Sequence, residues 1–319
     1  MSITVNAAPR RTTPRGFAFD PIFEILCFTA ATTLLVALGG VIVALAIGGW
    51  PALSKFGIGF VTGSTWDPNP DHEIYGAAGP IVGTLITSAA ALLMALPVAG
   101  GVAFFLVELC PTPLRRPIGT AVELLAGIPS IVYGMWGLFV FAPFFAAHVE
   151  TPLMAAAPTG SVWETLFSGI PNGSGILAAS IILAVMILPF MAATLRELLN
   201  TVPAQVRESA YGLGATTAEV VMSVTLPYVR RGAIGAVMLG LGRALGETMA
   251  VTFIIGNSHG FPKGLFDSGS TIASTIANEF NEASGLQSSA LIALGLVLFL
   301  ITFVVLALAR LMLRNQAKV

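Results

Sequence analysis

The chain has 319 residues, of which 55% are hydrophobic and only 10% are charged, and its mean hydropathy is +0.88. A soluble domain carries about 25% charged residues, so this composition excludes a soluble domain and indicates an integral membrane protein. The net charge of −1 does not favour any particular partner, such as a nucleic acid. Cys27 and Cys110 both lie at predicted cytoplasmic ends of spans, so no disulfide is expected.

Six apolar segments long enough to cross a bilayer follow one another and predict an all-α membrane fold. The first is longer than the signal-peptide core of about 7–15 residues, so a retained span is favoured over cleavage after Ala44-x-Ala46. Pro97 and Pro129 predict kinks in the second and third spans. The six predicted spans are 25–49, 79–109, 118–147, 175–195, 232–255 and 288–312.

The basic residues are confined almost entirely to one side of these six spans. Lys55 and Lys263 are the only basic residues in the opposite loops, which contain eight acidic residues. By the positive-inside rule, both termini are predicted to be cytoplasmic. The twelve basic residues on the cytoplasmic side are Arg10, Arg11, Arg15, Arg115, Arg116, Arg196, Arg207, Arg230, Arg231, Arg310, Arg314 and Lys318.

One cytoplasmic stretch between the fourth and fifth spans has the spacing of a known motif. Glu208-Ser209-Ala210 is followed by three residues, Gly214, nine residues and then Val224-Thr225-Leu226-Pro227. This stretch resembles the EAA loop of ABC-importer permeases, with Ser209 in place of alanine and Val224 in place of isoleucine. The resemblance extends over the whole chain to permeases for phosphate, through segments 124–137, 239–257 and 271–280.

The resemblance implies a type I ABC importer permease fold and a place in the bacterial inner membrane, as a multi-pass subunit without a cofactor. Its implied partners are a second, similar permease subunit, two ATPase subunits and a periplasmic phosphate-binding protein, besides membrane lipid. The loop at 204–231 would couple the ATPase to the channel. The coupling residues would be Glu208, Ser209, Ala210, Gly214, Ala215, Leu226 and Pro227.

The same resemblance suggests a division of the chain into four parts. Residues 1–24 would form a cytoplasmic tail, and 25–78 the first span with its outer loop. Residues 79–313 would form the permease core with five spans, and 314–319 a second cytoplasmic tail. The outer loops 50–78, 148–173 and 258–287 are expected to face the binding protein, with Asp71 and Phe266 as positions for cross-links. Trp50, Trp66 and Tyr75 are expected to anchor the membrane interface.

No nucleotide-binding motif accompanies the spans. None of the three lysines, Lys55, Lys263 and Lys318, belongs to a GxxxxGK[ST] phosphate-binding loop. The HExxH zinc-protease pattern is also missing from the sequence. We therefore expect a transport subunit rather than an enzyme, with ATP hydrolysed by another chain and with no metal site.

The fifth predicted span carries the only charged pair placed at mid-membrane, Arg243 and Glu247. Their i, i+4 spacing predicts that both side chains share one face of a continuous helix. An arginine at the bilayer centre costs at least about 2.5–3.5 kcal/mol, so its side chain is expected to face protein or water. Two interpretations stay open: a buried structural ion pair, and an anion site in which the guanidinium binds phosphate oxygens bidentately.

The charges of Arg243 and Glu247 cancel, so this chain alone would not neutralise a phosphate anion. Either Glu247 is protonated or the partner permease supplies basic groups, and we favour the partner. Ser130 could add a hydroxyl to the substrate pathway at the Gly127-Ile128-Pro129 break, although a plain proline kink is the alternative. Gly240, Gly242 and Gly246 would leave room either for a neighbouring helix or for substrate.

Two other functions remain as alternatives. A permease of the same architecture could carry another oxyanion, such as sulfate or molybdate. A secondary transporter or channel is a less favoured hypothesis, because the EAA spacing and the absence of a detectable inverted repeat both argue against it.

Overall fold

Helices make up most of the chain in the computed structural model, which describes residues 20–69 and 71–315. The first helices within these residues are α1 (Asp20–Phe56), α2 (Gly59–Thr62), α3 (Ala78–Phe104), α4 (Thr112–Ala126), α5 (Ser130–Trp136), α6 (Ala142–Phe145) and α7 (Thr151–Ala156). The later ones are α8 (Val162–Leu166), α9 (Ile176–Asn200), α10 (Ala204–Gly212), α11 (Thr217–Val220), α12 (Leu226–Leu245), α13 (Met249–Thr252), α14 (Ile272–Glu279) and α15 (Gly285–Asn315).

Two other kinds of element interrupt or connect these helices. A short antiparallel hairpin pairs β1 (Trp66–Asp67) with β2 (Ile74–Tyr75). Wider π-helical turns continue several helices and connect α5 to α7 into one long segment. These turns are Phe105–Leu109, Gly137–Phe141, Ala146–Glu150 and Val221–Thr225.

Five helical segments of the described residues are long and apolar enough to cross a membrane. This confirms a mostly helical protein with several spans, although the sequence predicted six. The five segments are Pro21–Phe56, Ala78–Leu109, Ser130–Ala156, Ile176–Asn200 and Gly285–Leu311.

The predicted third span, 118–147, is wrong in its boundaries. The chain forms a separate amphipathic helix, α4, and leaves the helical path at Gly127 before the apolar segment starts at Ser130. Pro129 has no N–H for a helical hydrogen bond, and it disfavours helical geometry at the residue before it. The proline therefore separates two helices instead of kinking one.

The predicted fifth span, 232–255, is also wrong as a single helix. α12 ends at Leu245, with Gly246 as its C-terminal cap, and the short α13 begins only at Met249. α12 has twenty residues but carries Arg230, Arg231 and Arg243, which explains why it is not among the five most apolar segments.

The chain divides into two compact units, 1–47 and 48–319. In the first unit, the described residues belong to α1, and nearly all of their side chains are exposed. Large apolar side chains such as Phe28 and Leu34 are 73% and 72% exposed. Such an all-round apolar surface is typical of a helix that contacts lipid or other membrane helices.

The core of the second unit is formed around α9. In its most apolar stretch 67% of the residues are buried, against 33% or less in the other four candidate spans. α3 packs along α9 through small side chains that recur every four residues, which allows the two backbones to approach closely. The small residues of α3 are Ala91, Ala95, Ala99 and Ala103, each no more than 1% exposed.

Glu279 connects several segments of the second unit. Its carboxylate accepts hydrogen bonds from Trp66 Nε1 and Gln287 Nε2, both at 2.9 Å, and pairs with His259 Nε2 at 2.6 Å. The Trp66 indole also stacks on the His259 ring and contacts Tyr75 edge-on. One carboxylate therefore joins the β1–β2 hairpin to the loop after α13 and to the start of α15.

Three of the outer-loop expectations need correction or revision. Tyr75 is 1% exposed and Trp66 half-buried, so both pack inside the protein rather than standing as free interfacial anchors. Phe266 is also 1% exposed, which rules it out as a cross-linking position, whereas Asp71 is exposed. Phe261, 54% exposed, is the better choice in the same loop.

The contacts of Glu279 determine its titration. Burial raises the pKa of this carboxyl, but the hydrogen bonds from His259, Trp66 and Gln287 outweigh burial and hold the pKa below its ordinary value. A carboxyl with a lower pKa in the folded than in the unfolded state stabilises the fold fully above its unfolded pKa, about 4.3 for glutamate. That stabilisation is lost as the pH falls through the lowered folded value.

We predict that Glu279→Gln lowers the thermal unfolding midpoint of the purified protein by roughly 3 °C or more at neutral pH, because hydrogen bonds to a charged group contribute about 1.5–3 kcal/mol. The difference between the two proteins should shrink as the pH is lowered below 4. Glu282→Gln is the matched control, since Glu282 is exposed nearby and should shift the midpoint little. Equal midpoints for wild type and Glu279→Gln would contradict the prediction.

Candidate functional site

The predicted coupling stretch, 204–231, folds into consecutive helical pieces. α10 is followed by α11, by the π-helical turn at Val221–Thr225 and by the beginning of α12. No residue of α10 is buried. Tyr211 is 41% exposed and Leu213, just past the helix, is 90% exposed. Exposed apolar side chains at the tip of a polar helix are suited to contact with another protein.

α10 ends in a Schellman motif at Gly214. The N–H of Ala215 donates to the carbonyl of Ala210 at 3.2 Å, and the N–H of Gly214 donates to the carbonyl of Tyr211 at 2.9 Å. Gly214 has a φ of +88°, a left-handed conformation that glycine adopts without the steric penalty of a Cβ. The glycine of the motif therefore ends one helix and turns the chain toward the next.

A capping box begins the second helix directly after that turn. Thr216 Oγ1 accepts a hydrogen bond from the N–H of Glu219 at 3.4 Å, and Glu219 Oε2 accepts one from the N–H of Thr216 at 2.8 Å. Because the end of α10 and the start of α11 are both fixed, the bend between them is well defined. The Thr-x-x-Glu spacing of residues 216–219 is the sequence signal of this capping box.

The structure brings part of the predicted coupling set together. Ala210, Gly214 and Ala215 meet in the turn, while Glu208 and Ser209 lie exposed on α10. Leu226 and Pro227 lie farther along, in the first turn of α12, where a proline does not interrupt helical hydrogen bonds. Contact of these seven residues with an ATPase stays a prediction.

Two ion pairs on this side of the protein were not predicted. Arg207 Nη1 lies 3.0 Å from Glu108 Oε1, and Arg196 Nη1 lies 2.8 Å from Glu123 Oε1. The partners are 99 and 73 positions apart in the chain. Residues so far apart cannot be paired from their spacing in the sequence, so these ion pairs become visible only in the folded structure.

Arg243 lies on the exposed face of α12. Leu239, Arg243 and Gly246 are exposed, whereas Ala236 and Gly240 on the other face are buried. The guanidinium carbon lies 5.6 Å from the centroid of the Phe190 ring, which is cation–π distance. Arg243 also occupies the last turn of α12, where the unpaired carbonyls favour a positive charge.

The expectation that Glu247 shares a helix face with Arg243 is wrong. The helix ends between them, and Glu247 Oε1 instead accepts a hydrogen bond from the N–H of Ala250 in α13, at 3.1 Å. The ion pairs among the described residues do not include Arg243 with Glu247. The interpretation of the two charges as a structural ion pair loses its geometric basis.

The small residues of this region have different roles. A side chain at Gly240 would collide with Met191 of α9, so this glycine serves helix packing. Gly246 is exposed and has only its own helix backbone nearby, so it leaves open space beside Arg243. Ser130 is half-buried at the start of α5, directly after the break in the chain. Whether Ser130 and Glu247 contact substrate stays a prediction.

One pentapeptide, Gly256-Asn257-Ser258-His259-Gly260, has the GxSxG pattern of a hydrolase nucleophile elbow. The pattern requires a strand before the serine and a helix after it, whereas here it lies in a loop after α13. His259 is paired with Glu279 rather than with Ser258. Among the described residues, no group of three or more His, Cys, Asp or Glu side chains could hold a metal ion.

The comparison with known proteins identifies the family. Residues 78–318 match the family described as "Binding-protein-dependent transport system inner membrane component". The "Phosphate transport system permease protein PstC" of Mesorhizobium japonicum is 54% identical over 320 residues, which cover 98% of this chain and 97% of that protein. The chain belongs to this permease family. The protein of the same name from Pasteurella multocida is 54% identical over 308 residues, covering 97% of this chain and 92% of its own.

Membership in this family makes the chain an inner-membrane permease subunit of an ABC importer and not an enzyme. Two solved structures show the same fold. A bacterial ABC transporter for alginate import has a TM-score of 0.63 at 15% identity, covering 94% of this chain and 97% of its own. The MetNI methionine transporter in an inward-facing form has a TM-score of 0.52 at 17% identity, covering 73% and 91%.

The geometry of Gly214 leads to a direct prediction. Gly214→Ala forces a Cβ into a left-handed conformation, which costs about 1–2 kcal/mol even though the space around the residue is open. We expect ATP-driven transport to fall several-fold at unchanged abundance in the membrane, because the bend between α10 and α11 is no longer fixed. Transport at matched abundance, together with co-purification of the ATPase, measures the effect.

Gly212→Ala is the matched control for this experiment. Gly212 lies two residues earlier, at the end of α10, and an added Cβ there meets no atom within 4 Å. Gly212 is not among the positive-φ glycines, so alanine is acceptable and favours the helix. If the two variants transport equally well, the conformation of Gly214 is not what the coupling segment requires.

Proposed function

We propose that this chain is the permease subunit that conducts inorganic phosphate in an ATP-driven, binding-protein-dependent importer of the bacterial inner membrane. The observation that carries the proposal is identity above 50%, over nearly the full length, with relatives named as phosphate transport permeases. The exposed coupling segment adds physical support, because an importer without its own nucleotide site needs a surface for an ATPase.

The partners proposed for the chain are a PstA-like second permease, two PstB-like ATPases and a periplasmic PstS-like phosphate-binding protein. The need for a second permease follows from Arg243. At 1.5 Å per residue, Arg243 lies about 20 Å along α12 from Arg230, well inside a hydrocarbon layer about 30 Å thick. A guanidinium that is exposed on this chain at such depth must face water or another protein rather than lipid.

Arg243 is also the residue best placed to bind the anion. Its side chain is exposed, its helix face continues to the open space at Gly246, and Glu247 does not neutralise it within this chain. The planar guanidinium can donate two parallel hydrogen bonds to phosphate oxygens. Glu247, whose carboxylate caps the start of α13, would lie beside the substrate pathway. Ser130 would contribute a hydroxyl to the same pathway.

We propose six spans with both termini in the cytoplasm. α12 would be the sixth membrane-crossing helix, together with α13 after the break at Gly246. Basic residues lie at the end of α12 from which α10 and α11 project, as the positive-inside rule requires of a cytoplasmic surface. The helix break would then lie inside the membrane, where non-helical backbone is tolerated only beside protein or a water-filled path.

The substrate can be tested by competition. The full complex in proteoliposomes should accumulate labelled phosphate from the binding-protein side, and excess unlabelled phosphate should abolish the signal. Sulfate and molybdate at the same excess should leave it nearly unchanged. Strong competition by either anion would move the proposal to a permease for that oxyanion.

The role of Arg243 gives a separate prediction. Charge-assisted hydrogen bonds contribute about 1.5–3 kcal/mol, so Arg243→Gln should lower phosphate uptake roughly tenfold or more at subsaturating phosphate. Arg243→Lys keeps the charge but loses the planar fork and should also transport poorly. Glu247→Gln should have the smaller effect, because Glu247 bonds α13 rather than Arg243.

Uptake has to be compared at matched abundance, with ATPase association checked by pull-down. Arg231→Gln is a control on the same helix, since Arg231 is exposed at the cytoplasmic end of α12. Near-normal uptake by the double variant Arg243→Gln with Glu247→Gln would remove Arg243 from the anion pathway.

A further inference from the structure

Three connections join α10 to the membrane-crossing helices, two through the backbone and one through side chains. At its two ends the coupling segment continues through the backbone into α9 and α12. The third attachment is the ion pair between Arg207 of α10 and Glu108, which lies in the π-helical turn that ends the Ala78–Leu109 span. Glu108 lies 99 positions from Arg207 in the chain.

This pair is the single polar connection of its kind. Within residues 20–69 and 71–315, no other hydrogen bond made by 203–216 reaches a residue more than five positions away along the chain. Arg207 Nη2 also donates to the carbonyl of Val202 at 3.0 Å, so the guanidinium is held at two points. Val202 is 2% exposed and belongs to the core around α9.

The pair is well protected from water. The Arg207 side chain is 20% exposed and the Glu108 side chain only 9% exposed. A partly desolvated, charge-assisted hydrogen bond is stronger and more directional than an exposed one. The other ion pair on this side, Arg196 with Glu123, is different because Glu123 is 51% exposed.

Glu108 also connects directly to the most closely packed part of the fold. The turn Phe105–Leu109 continues α3, whose alanine stripe packs along α9. π-helical turns are often found at functional positions, because the extra residue in the turn shifts the side chains that follow. A displacement of α10 would pull on α9 and α12 through the chain, and directly on the end of the second span through Arg207 and Glu108.

We propose that Arg207 and Glu108 form the link that transmits movement of the coupling segment to the second span, so that α3, α9 and α12 move together when the ATPase closes. Arg207 is then a positioning residue of the transport cycle that contacts neither ATP nor substrate. The inference rests on the proposed function, since it needs an ATPase that acts on α10. Without the link, ATP hydrolysis continues but moves less substrate.

The test is the number of phosphate ions transported per ATP hydrolysed by the full complex in proteoliposomes, with the binding protein present. The decisive variant is Arg207→Gln combined with Glu108→Gln, because removal of both charges leaves no unpaired buried charge and should preserve assembly. We expect ATPase association and ATP hydrolysis close to wild type, with the phosphate-to-ATP ratio reduced about fivefold or more. The charge-swapped variant, Arg207→Glu with Glu108→Arg, should recover part of the ratio.

The matched control is the double variant Arg196→Gln with Glu123→Gln. It removes an ion pair of similar length from the same side of the protein, and its ratio should stay at the wild-type value. A wild-type ratio in the Arg207/Glu108 double variant would overturn the proposal. So would an equal loss of transport, ATP hydrolysis and ATPase association, because that pattern indicates only a structural role.

Failure of the proposed function would look different. A wild-type complex that hydrolyses ATP but takes up no phosphate would contradict phosphate as the substrate. The role of the Arg207–Glu108 link could still be tested by measuring how much the outer binding protein increases ATP hydrolysis. The Arg207/Glu108 double variant should lose this stimulation, and the Arg196/Glu123 control should keep it.

Discussion

The close packing of α3 on α9 is the contact on which the other features depend. Ala91, Ala95, Ala99 and Ala103 present a flat, small-residue stripe, and larger side chains there would force the helices apart. α9 then leads directly into the coupling segment, and α3 ends at the turn that holds Glu108. The position of the coupling segment relative to the spans is therefore set by helix packing inside the membrane region.

Two of the more buried carboxylates have a basic partner, Glu108 in Arg207 and Glu279 in His259. Glu150, which is 0% exposed, instead accepts a hydrogen bond from the N–H of Gly173. Arg243 is exposed, and the ion pairs among the described residues do not include it. In the proposed topology its guanidinium would lie within the membrane and would need water or another subunit rather than lipid around it.

Much of the fold and function could be predicted from the sequence. Apolar segment lengths gave the helical membrane class, and the EAA spacing gave the family, which the comparisons confirm. The φ of +88° at Gly214 gives a physical reason for the glycine at this position of the motif. These features depend on local spacing or composition, which the sequence contains directly.

The two errors in the predicted spans have a common cause, since both depend on where a helix ends. The sequence predicts a kink at Pro129 and a continuous helix across Gly246, which would place Arg243 and Glu247 on one helix face. The helices instead end at both positions. A glycine within an apolar run is compatible with a continuous helix or with a cap, and tertiary packing decides between them. Pairs such as Arg207 with Glu108 were missed because their partners come from distant spans.

The most direct test of this account is phosphate accumulation by the purified complex in sealed vesicles, with the energy source varied. The account predicts that accumulation requires ATP on the side of α10 and binding protein on the other side. It also predicts that an imposed proton or sodium gradient does not replace ATP. Accumulation driven by an ion gradient without ATP would contradict the account and would identify a secondary transporter.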